Sequence, residues 1–436
     1  MMNTSFYIIL ILILSQLCSS PSYAANQDQV RLLWPAPPNL PQLEFVGVFT
    51  SEDDLEKSKE RGFLATFLKE DLEQNLSGPK SVATLDTNTV LVSERGGENI
   101  KVFDFAKGET RELFQKTLPF FEAPVDVVID AGKNIFVVDQ KRGVIAVFDN
   151  VLNPTHRIGK NVKFKRLEKA AIDPVTQTLY VSDSGLNKVF AFDPAGQLLF
   201  EVGEGENPDG EDPDGEDPDD EVPDNRLKSP HGLAVDSEGR LYVADTGSSK
   251  IKIFDSDGSF LRVFKFKNDS SSSVLDKPWD LAFDSQGLLH IIDQRMAAVI
   301  TCTLNGEVLF ATMASRRTNH PMGFSRPSDI HIDSKDRIII TDAQNNRFVM
   351  WQILTKAFLA ENPVTDKDIE TLKRYIAELQ KRAKEGTSTE AIAMQNEEEK
   401  KNLEGALKKT KKKRHRVACP NCDTQYDLVL IGLDNQ

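Results

Sequence analysis

The stretch Pro230-His-Gly-Leu-Ala-Val-Asp236, followed by Leu241-Tyr-Val-Ala-Asp245 and Ile251-Lys-Ile-Phe-Asp255, packs three short β-rich runs into little sequence. Asp255–Gly258 supplies a turn, and Phe260–Phe264 reads as a fourth run. Runs of this length, rich in Val, Ile, Tyr and Phe and bounded by Asp and Gly, are strand signals. The same three-part pattern recurs. It is present at Pro124–Asp130, Ile135–Asp139 and Ile145–Asp149, at Pro278–Asp284, Leu289–Asp293 and Val299–Thr303, and at Pro327–Asp333, Ile338–Asp342 and Phe348–Trp351. Weaker copies begin at Ala170 and at Pro79.

That makes six copies. The acids ending their second runs (Glu94, Asp139, Asp183, Asp245, Asp293, Asp342) are spaced by 45, 44, 62, 48 and 49 residues. Four strands in about 45 residues is the period of a propeller blade. No helical stretch separates the runs, which disfavours a parallel βαβ array. The expected fold is all-β: a six-bladed β-propeller of four-stranded antiparallel blades, with a C-terminal helical extension. The last copy lacks a fourth run, and residues 43–49 (Leu-Glu-Phe-Val-Gly-Val-Phe) look like that run displaced to the N-terminus. This predicts ring closure by residues 43–49.

The pattern Pro-x-x-Leu-Ala-Val-Asp, x-Gly-x-Leu-Tyr-Val-Ala-Asp, Lys-Ile-x-x-Phe-Asp resembles the NHL repeat, a family of six-bladed propellers. The resemblance covers about residues 77–355 and is sharpest at 226–266. Leu33-Trp-Pro-Ala-Pro-Pro38 with Leu43–Phe49 resembles the exported bacterial members. The superfold hosts hydrolases, lyases and binding scaffolds, so fold alone does not give function.

The wider chain divides accordingly. Residues 1–25 read as a signal peptide, with an apolar run Phe6–Leu17 and a small-x-small site at Ser22-Tyr23-Ala24. That run is short of the ~20 residues a spanning helix needs. Cys18 follows Leu17, where a lipoprotein signal has a small residue. The expectation is an exported protein, periplasmic or extracellular, with no transmembrane segment in the mature chain. Residues 26–76 form an N-terminal segment holding the closing strand, and 77–360 the propeller. An acidic insertion occupies 201–224, a charged helical extension 361–416, and a CxxC tail 417–436.

The net charge is −14 in 436 residues, and residues 201–224 alone hold thirteen acids and no base. The rest of the chain is therefore close to neutral. A basic footprint for nucleic acid is missing, and the export signal argues against that partner too. The insertion repeats Gly-Glu-Asp-Pro-Asp. Its plain reading is a solvated, self-repelling loop. The ligand reading is a Ca²⁺ loop built on Asp209, Asp212, Asp214, Asp217 and Asp219, although EF-hand spacing is not met.

Thr365-Asp-Lys-Asp368 resembles a helix N-cap, and Ile369, Leu372, Ile376 and Leu379 recur at helical spacing, predicting a helix to about Arg382. A second charged helix is expected to about Lys409. The run Lys408–Arg416 is strongly basic and offers contact with an acidic or envelope surface. Cys419-Pro-Asn-Cys422 leaves several readings open: a local disulfide or inert thiols, a zinc shared between two chains, or redox chemistry. A c-type haem is disfavoured because Asp423 stands where His is required. Cys302 reads as a buried small hydrophobe.

Propeller sites lie where the first residues of the innermost strands converge. The Pro-x-Asp position brings Asp126, Asp280 and Asp329 there, with His231 and Trp279 at the position just before. Two readings stand: acids capping backbone N–H groups, or a carboxylate ring for a cation or polar ligand. The resemblance to peptide-amidating lyases implies zinc held by several Pro-His motifs. Only Pro230-His231 matches, since Lys80, Val125, Glu168, Trp279 and Ser328 fill the equivalent positions. Calcium-dependent lactonases are also similar in fold, but no distinctive motif supports them. No Gly-x-Ser-x-Gly elbow is present. The acids ending the second runs read as turn and ion-pair structure with Lys188, Lys250 or Arg347. The expected function is a non-catalytic exported scaffold for a protein partner. The resemblance implies a place in an envelope electron-transfer assembly. The alternative is a Ca²⁺- or Zn²⁺-dependent hydrolase or lyase at the channel mouth.

Overall fold

The computed structural model describes residues 30–35, 40–58, 76–95, 97–114, 121–203, 225–267, 274–312, 323–386, 413–418 and 425–430. The signal segment, the acidic repeat and both cysteines of the CxxC motif lie outside these residues. No helix among the described residues is long and apolar enough to cross a membrane.

Strands β1 (Leu33–Trp34) and β2 (Leu43–Phe49) and a short helix α1 (Asp53–Ser58) come first. Blade one is β3 (Pro79–Asp86), β4 (Thr89–Glu94), β5 (Ile100–Asp104) and β6 (Glu109–Glu112). Blade two is β7 (Pro124–Ile129), β8 (Ile135–Asp139), β9 (Val144–Phe148) and β10 (Pro154–Ile158). Blade three is β11 (Leu167–Ile172), β12 (Leu179–Asp183), β13 (Lys188–Phe192) and β14 (Leu198–Val202). Blade four is β15 (Pro230–Val235), β16 (Leu241–Asp245), β17 (Lys250–Phe254) and β18 (Phe260–Val263). Blade five is β19 (Pro278–Phe283), β20 (Leu289–Asp293), β21 (Ala298–Cys302) and β22 (Val308–Thr312). Blade six takes β23 (Pro327–Ile332), β24 (Arg337–Asp342) and β25 (Arg347–Ile353), and its sheet order is β1-β2-β25-β24-β23. The fourth strand of that sheet is β2, and the two-residue β1 adds a fifth.

Each innermost strand packs against the next, from β3 through β23, and β23 packs back on β3. The expected six-bladed antiparallel propeller is therefore present. The reason is legible in β8. Ile135 and Val137 pack with Leu91, Ile100 and Val102 of blade one, whereas Phe136 and Val138 pack with Leu179, Val181 and Phe190 of blade three. Alternate side chains face opposite sides of a strand. A strand buried on both faces is therefore mostly apolar, and β8, β12, β16 and β20 are buried at every residue, with the acid that ends each of them hydrogen-bonded or ion-paired. Each apolar side chain among them contributes roughly 1.5–3 kcal/mol.

The chain divides into two compact units, with boundaries inside β2 and β25. The larger (Val48–Glu56, Glu73–Met350) holds the innermost strands and the channel. In it Phe49 stacks on Phe348 at 5.0 Å, and Phe348 meets Phe103 edge-on at 5.0 Å. The smaller holds α2 (Lys356–Glu361), α3 (Asp366–Gly386) and a hairpin of β26 (Lys413–Ala418) with β27 (Gln425–Leu430). There Leu33, Leu354 and Leu372 form a core, with Ile369 and Ile376 against it. Arg31 holds Glu44 at 2.6 Å and Asp368 at 3.6 Å. Thr365 and Asp368 cap α3 reciprocally, at 2.8 and 3.2 Å. The helix runs to Gly386, a little past the Arg382 expected. The expected second helix falls outside the described residues, and the end of the basic run lies in β26.

Candidate functional site

The third residue of each innermost strand points the repeat at one place. In chain order these residues are Ser81, Asp126, Lys169, Gly232, Asp280 and Asp329. Lys169 Nζ lies 3.3 Å from Asp126 Oδ1 and 3.4 Å from Asp280 Oδ2, and it contacts Asp329 Oδ1. All four side chains are buried. Each carboxylate also accepts a backbone N–H from the next blade around the ring. Asp126 takes Ala170 N–H at 2.8 Å, Asp280 takes Ile330 N–H at 3.0 Å, and Asp329 takes Val82 N–H at 2.6 Å. Burial pushes the Asp280 carboxyl up to about 6, against the pull of Lys169 and with Asp126 adding repulsion. Gly232 belongs to the same arrangement, because a Cβ there would sit 2.4 Å from Asp280 Cα.

A divalent cation needs several oxygens converging on one point. Here the oxygens converge on the Lys169 ammonium and on backbone N–H groups. The residues do not fit a resident metal. Among the described residues no group of three or more His, Cys, Asp or Glu side chains is placed to hold one.

One residue earlier on the same strands stand Lys80, Val125, Glu168, His231, Trp279 and Ser328. His231 is only 5% exposed. Its Nδ1–H donates to Ser229 O at 2.9 Å, and its Nε2 has no hydrogen-bond partner. That nitrogen faces Glu168 Oε1 at 3.7 Å. Glu168 Oε1 already accepts from Ser184 Oγ and from Arg166 Nε, both at 2.8 Å. The imidazole lies on Trp279 with ring centroids 3.9 Å apart, and Lys277 Nζ sits 4.6 Å from the centre of the indole. Burial lowers the His231 pKa, and Glu168 opposes that shift. Lys80 is lowered by burial too, with Glu168 raising it and Arg326, Lys169 and Arg95 lowering it further. The mouth is thus a half-buried cationic surface around one acid and one under-bonded imidazole.

The family model for the NHL repeat matches residues 227–254, which span β15, β16 and β17. The chain is a six-bladed β-propeller whose fourth blade matches the NHL repeat. Its fold is similar to a gluconolactonase from Xanthomonas campestris, at 15% identity and TM-score 0.50, covering 77% of this chain and 98% of that one. Virginiamycin B lyase from Staphylococcus aureus is also similar, at 13% identity and TM-score 0.44, covering 64% of this chain and 86% of that one. A chain of a nidogen–laminin complex matches at 16% identity and TM-score 0.41, covering 55% of this chain and 81% of that one. At these identities the likeness is one of fold.

Elsewhere in this propeller, titratable groups serve the backbone. Asp139, Asp183, Asp293 and Asp342 accept N–H groups from the linker before their own blade, at 2.7–3.1 Å for the leading pairs Glu122–Asp139, Lys165–Asp183, Asp276–Asp293 and Ser325–Asp342. Asp342 pairs with Arg347 at 3.2 Å. Asp245 pairs with Lys252 at 2.8 Å, and Lys188 reaches Glu201 at 2.6 Å, so the ion pairs differ from a simple repeat offset. His290 bridges Thr301 (2.9 Å) and Asp284 (3.1 Å) in a connectivity like that of a catalytic triad. Thr301 is fully buried inside the blade, which removes it from any substrate. His331 bonds Thr84 at 2.8 Å, and burial lowers its pKa to about 4. Cys302 is buried, as expected, and its thiol is pushed up to about 12.

The structure brings Asp126, Asp280 and Asp329 together and sets His231 against Trp279 beside them. Cys419, Cys422 and the insertion aspartates Asp209, Asp212, Asp214, Asp217 and Asp219 lie outside the described residues. Lys169 and Glu168 were missed. The signal was available, because writing out the third residue of all six copies places a lysine in the column of aspartates.

Proposed function

We propose that this NHL propeller is a non-catalytic, exported scaffold that binds a protein partner through the channel-mouth face. The observation that carries the reading is Lys169, whose ammonium neutralises the channel carboxylates from within. Those acids are used up in joining blades, which favours a structural ring over a metal-dependent hydrolase or lyase. Export rests on Phe6–Leu17 with Ser22-Tyr23-Ala24, and a place in an envelope electron-transfer assembly rests on resemblance to exported family members.

Two measurements test this. Metal analysis of the purified protein is expected to give no stoichiometric channel metal, before or after Asp126→Ala. A stoichiometric metal lost on Asp126→Ala or Asp329→Ala overturns the reading in favour of the enzyme. Affinity capture from the native envelope is expected to return one polypeptide in fixed proportion. Turnover of lactone or ester substrates by the protein alone would count against it.

A further inference from the structure

We infer that the channel mouth takes a carboxylate-rich peptide segment, seated among Lys80, Arg166, His231, Lys277, Trp279 and Arg326. This rests on the partner-binding reading above and names the chemistry of that partner.

The charge balance of the face points to an anion. Lys80 and Arg326 make no ion pair with a described residue, and Arg326 is exposed. Three other acids at these blade entrances are occupied: Glu94 by Lys101 at 3.2 Å, Glu122 by Lys141 at 3.3 Å, and Asp276 by Arg295 at 3.3 Å. Glu168, the acid that Lys80 feels most strongly, is already paired with Arg166 at 2.8 Å, and Arg326 adds a further positive charge beside Lys80. Cations held close together on a partly desolvated surface favour an incoming negative charge.

The second observation is His231. Its Nδ1 proton is committed to Ser229 O, so in the neutral ring the Nε2 lone pair faces Glu168, two acceptors with no proton between them. An unsatisfied buried nitrogen is destabilising. A ligand carboxylate brought to this side favours the imidazolium, which then has a donor at Nε2. The charged groups facing His231 are Glu168, which favours its protonation, and Arg166 and Lys277, which oppose it. A carboxylate next to Arg166 and Lys277 offsets the two that oppose.

The class of anion follows from Trp279. Arg guanidinium groups match the carboxylate fork. The indole of Trp279, already faced by Lys277 and His231, supplies an apolar floor for the methylene stem of a Glu side chain.

The test uses the full-length protein at low salt, with a fluorescein-labelled Glu/Gly peptide, its Gln/Gly counterpart and a single-stranded oligonucleotide of equal charge. Fluorescence anisotropy is expected to show binding of the Glu peptide alone, tightening as pH falls from 8 to 6. Lys277→Glu with Arg326→Glu is expected to weaken it by about tenfold or more, with the thermal midpoint unchanged. His231→Gln is expected to leave binding at pH 8 and to abolish the tightening. Absence of Glu-peptide binding, equal binding of the Gln peptide, tighter binding of the oligonucleotide, or no loss on charge reversal each overturns the inference. Capture of an envelope partner by both wild type and the charge-reversed protein would sink this inference while leaving the scaffold reading intact.

Discussion

Two layers of the channel, one residue apart on the same strands, solve opposite problems. In the inner layer three carboxylates surround one buried ammonium, and every acid also holds a backbone N–H of the neighbouring blade. In the mouth layer cations outnumber acids, and an imidazole nitrogen lacks a partner. The first arrangement is complete in itself and belongs to folding. The second is completed by something from outside, and that is where a propeller of this kind has room for recognition. A charged residue near a channel is therefore evidence of binding only when its own ring does not already satisfy it.

The contrast can be broken most forcefully at Lys169. Replacing it with methionine leaves buried carboxylates without their counter-charge, and we expect a loss of roughly 3–5 kcal/mol in urea unfolding at neutral pH. A loss below about 1 kcal/mol would mean that the inner layer is solvated and not structural.

A pH series sharpens the comparison next. The folded pKa of Asp280 is raised to about 6, so its contribution is full below its unfolded value and is lost as pH rises through about 6. His331 does the reverse: its folded pKa is lowered to about 4, so its contribution is full above its unfolded value and is lost as pH falls through about 4. Between about pH 4 and 6 the two slopes oppose each other, each about 1.4 kcal/mol per pH unit. Asp280→Asn should make stability climb more steeply with pH over that window, as read by unfolding free energies at matched pH values. Parallel curves for the variant and wild type would show that Asp280 titrates as an ordinary carboxylate.

Gly232→Ala probes the same layer by sterics. The new Cβ meets the Asp280 backbone, and a loss of roughly 1–3 kcal/mol is expected from overpacking. The smallest effect belongs to the mouth. Lys277→Gln should change stability by no more than about 0.5 kcal/mol, as for an ordinary surface substitution. A larger shift in its thermal midpoint would place the mouth in the folding layer and erase the distinction.

Much of the ring could be read from β8, β12, β16 and β20, because a strand covered on both faces is apolar along most of its length instead of alternating. The aspartates of the Pro-x-Asp column, and their service to backbone N–H groups, were readable in the same way. The partner of those N–H groups was not, since the bonds cross from one blade to the next and only a closed ring defines which blade follows. Lys169 was obscured for a related reason. Blade three begins Leu167-Glu-Lys-Ala-Ala, without the proline or aspartate that marks its neighbours, so the column was hard to extend through it. The cationic character of the mouth has no signature along the chain, because Lys80, Arg166, Lys277 and Arg326 stand on four different blades.

The seam of Phe49 on Phe348 also sets a clock. Phe49 leaves the ribosome with roughly 300 residues still to be made before Phe348 follows, which at ~5–20 residues per second is a wait on the order of tens of seconds. Intermediate blades form in that interval, but the aromatic seam cannot. The newborn chain therefore carries an open sheet edge until β25 has been made, and this edge is what a chaperone would have to guard.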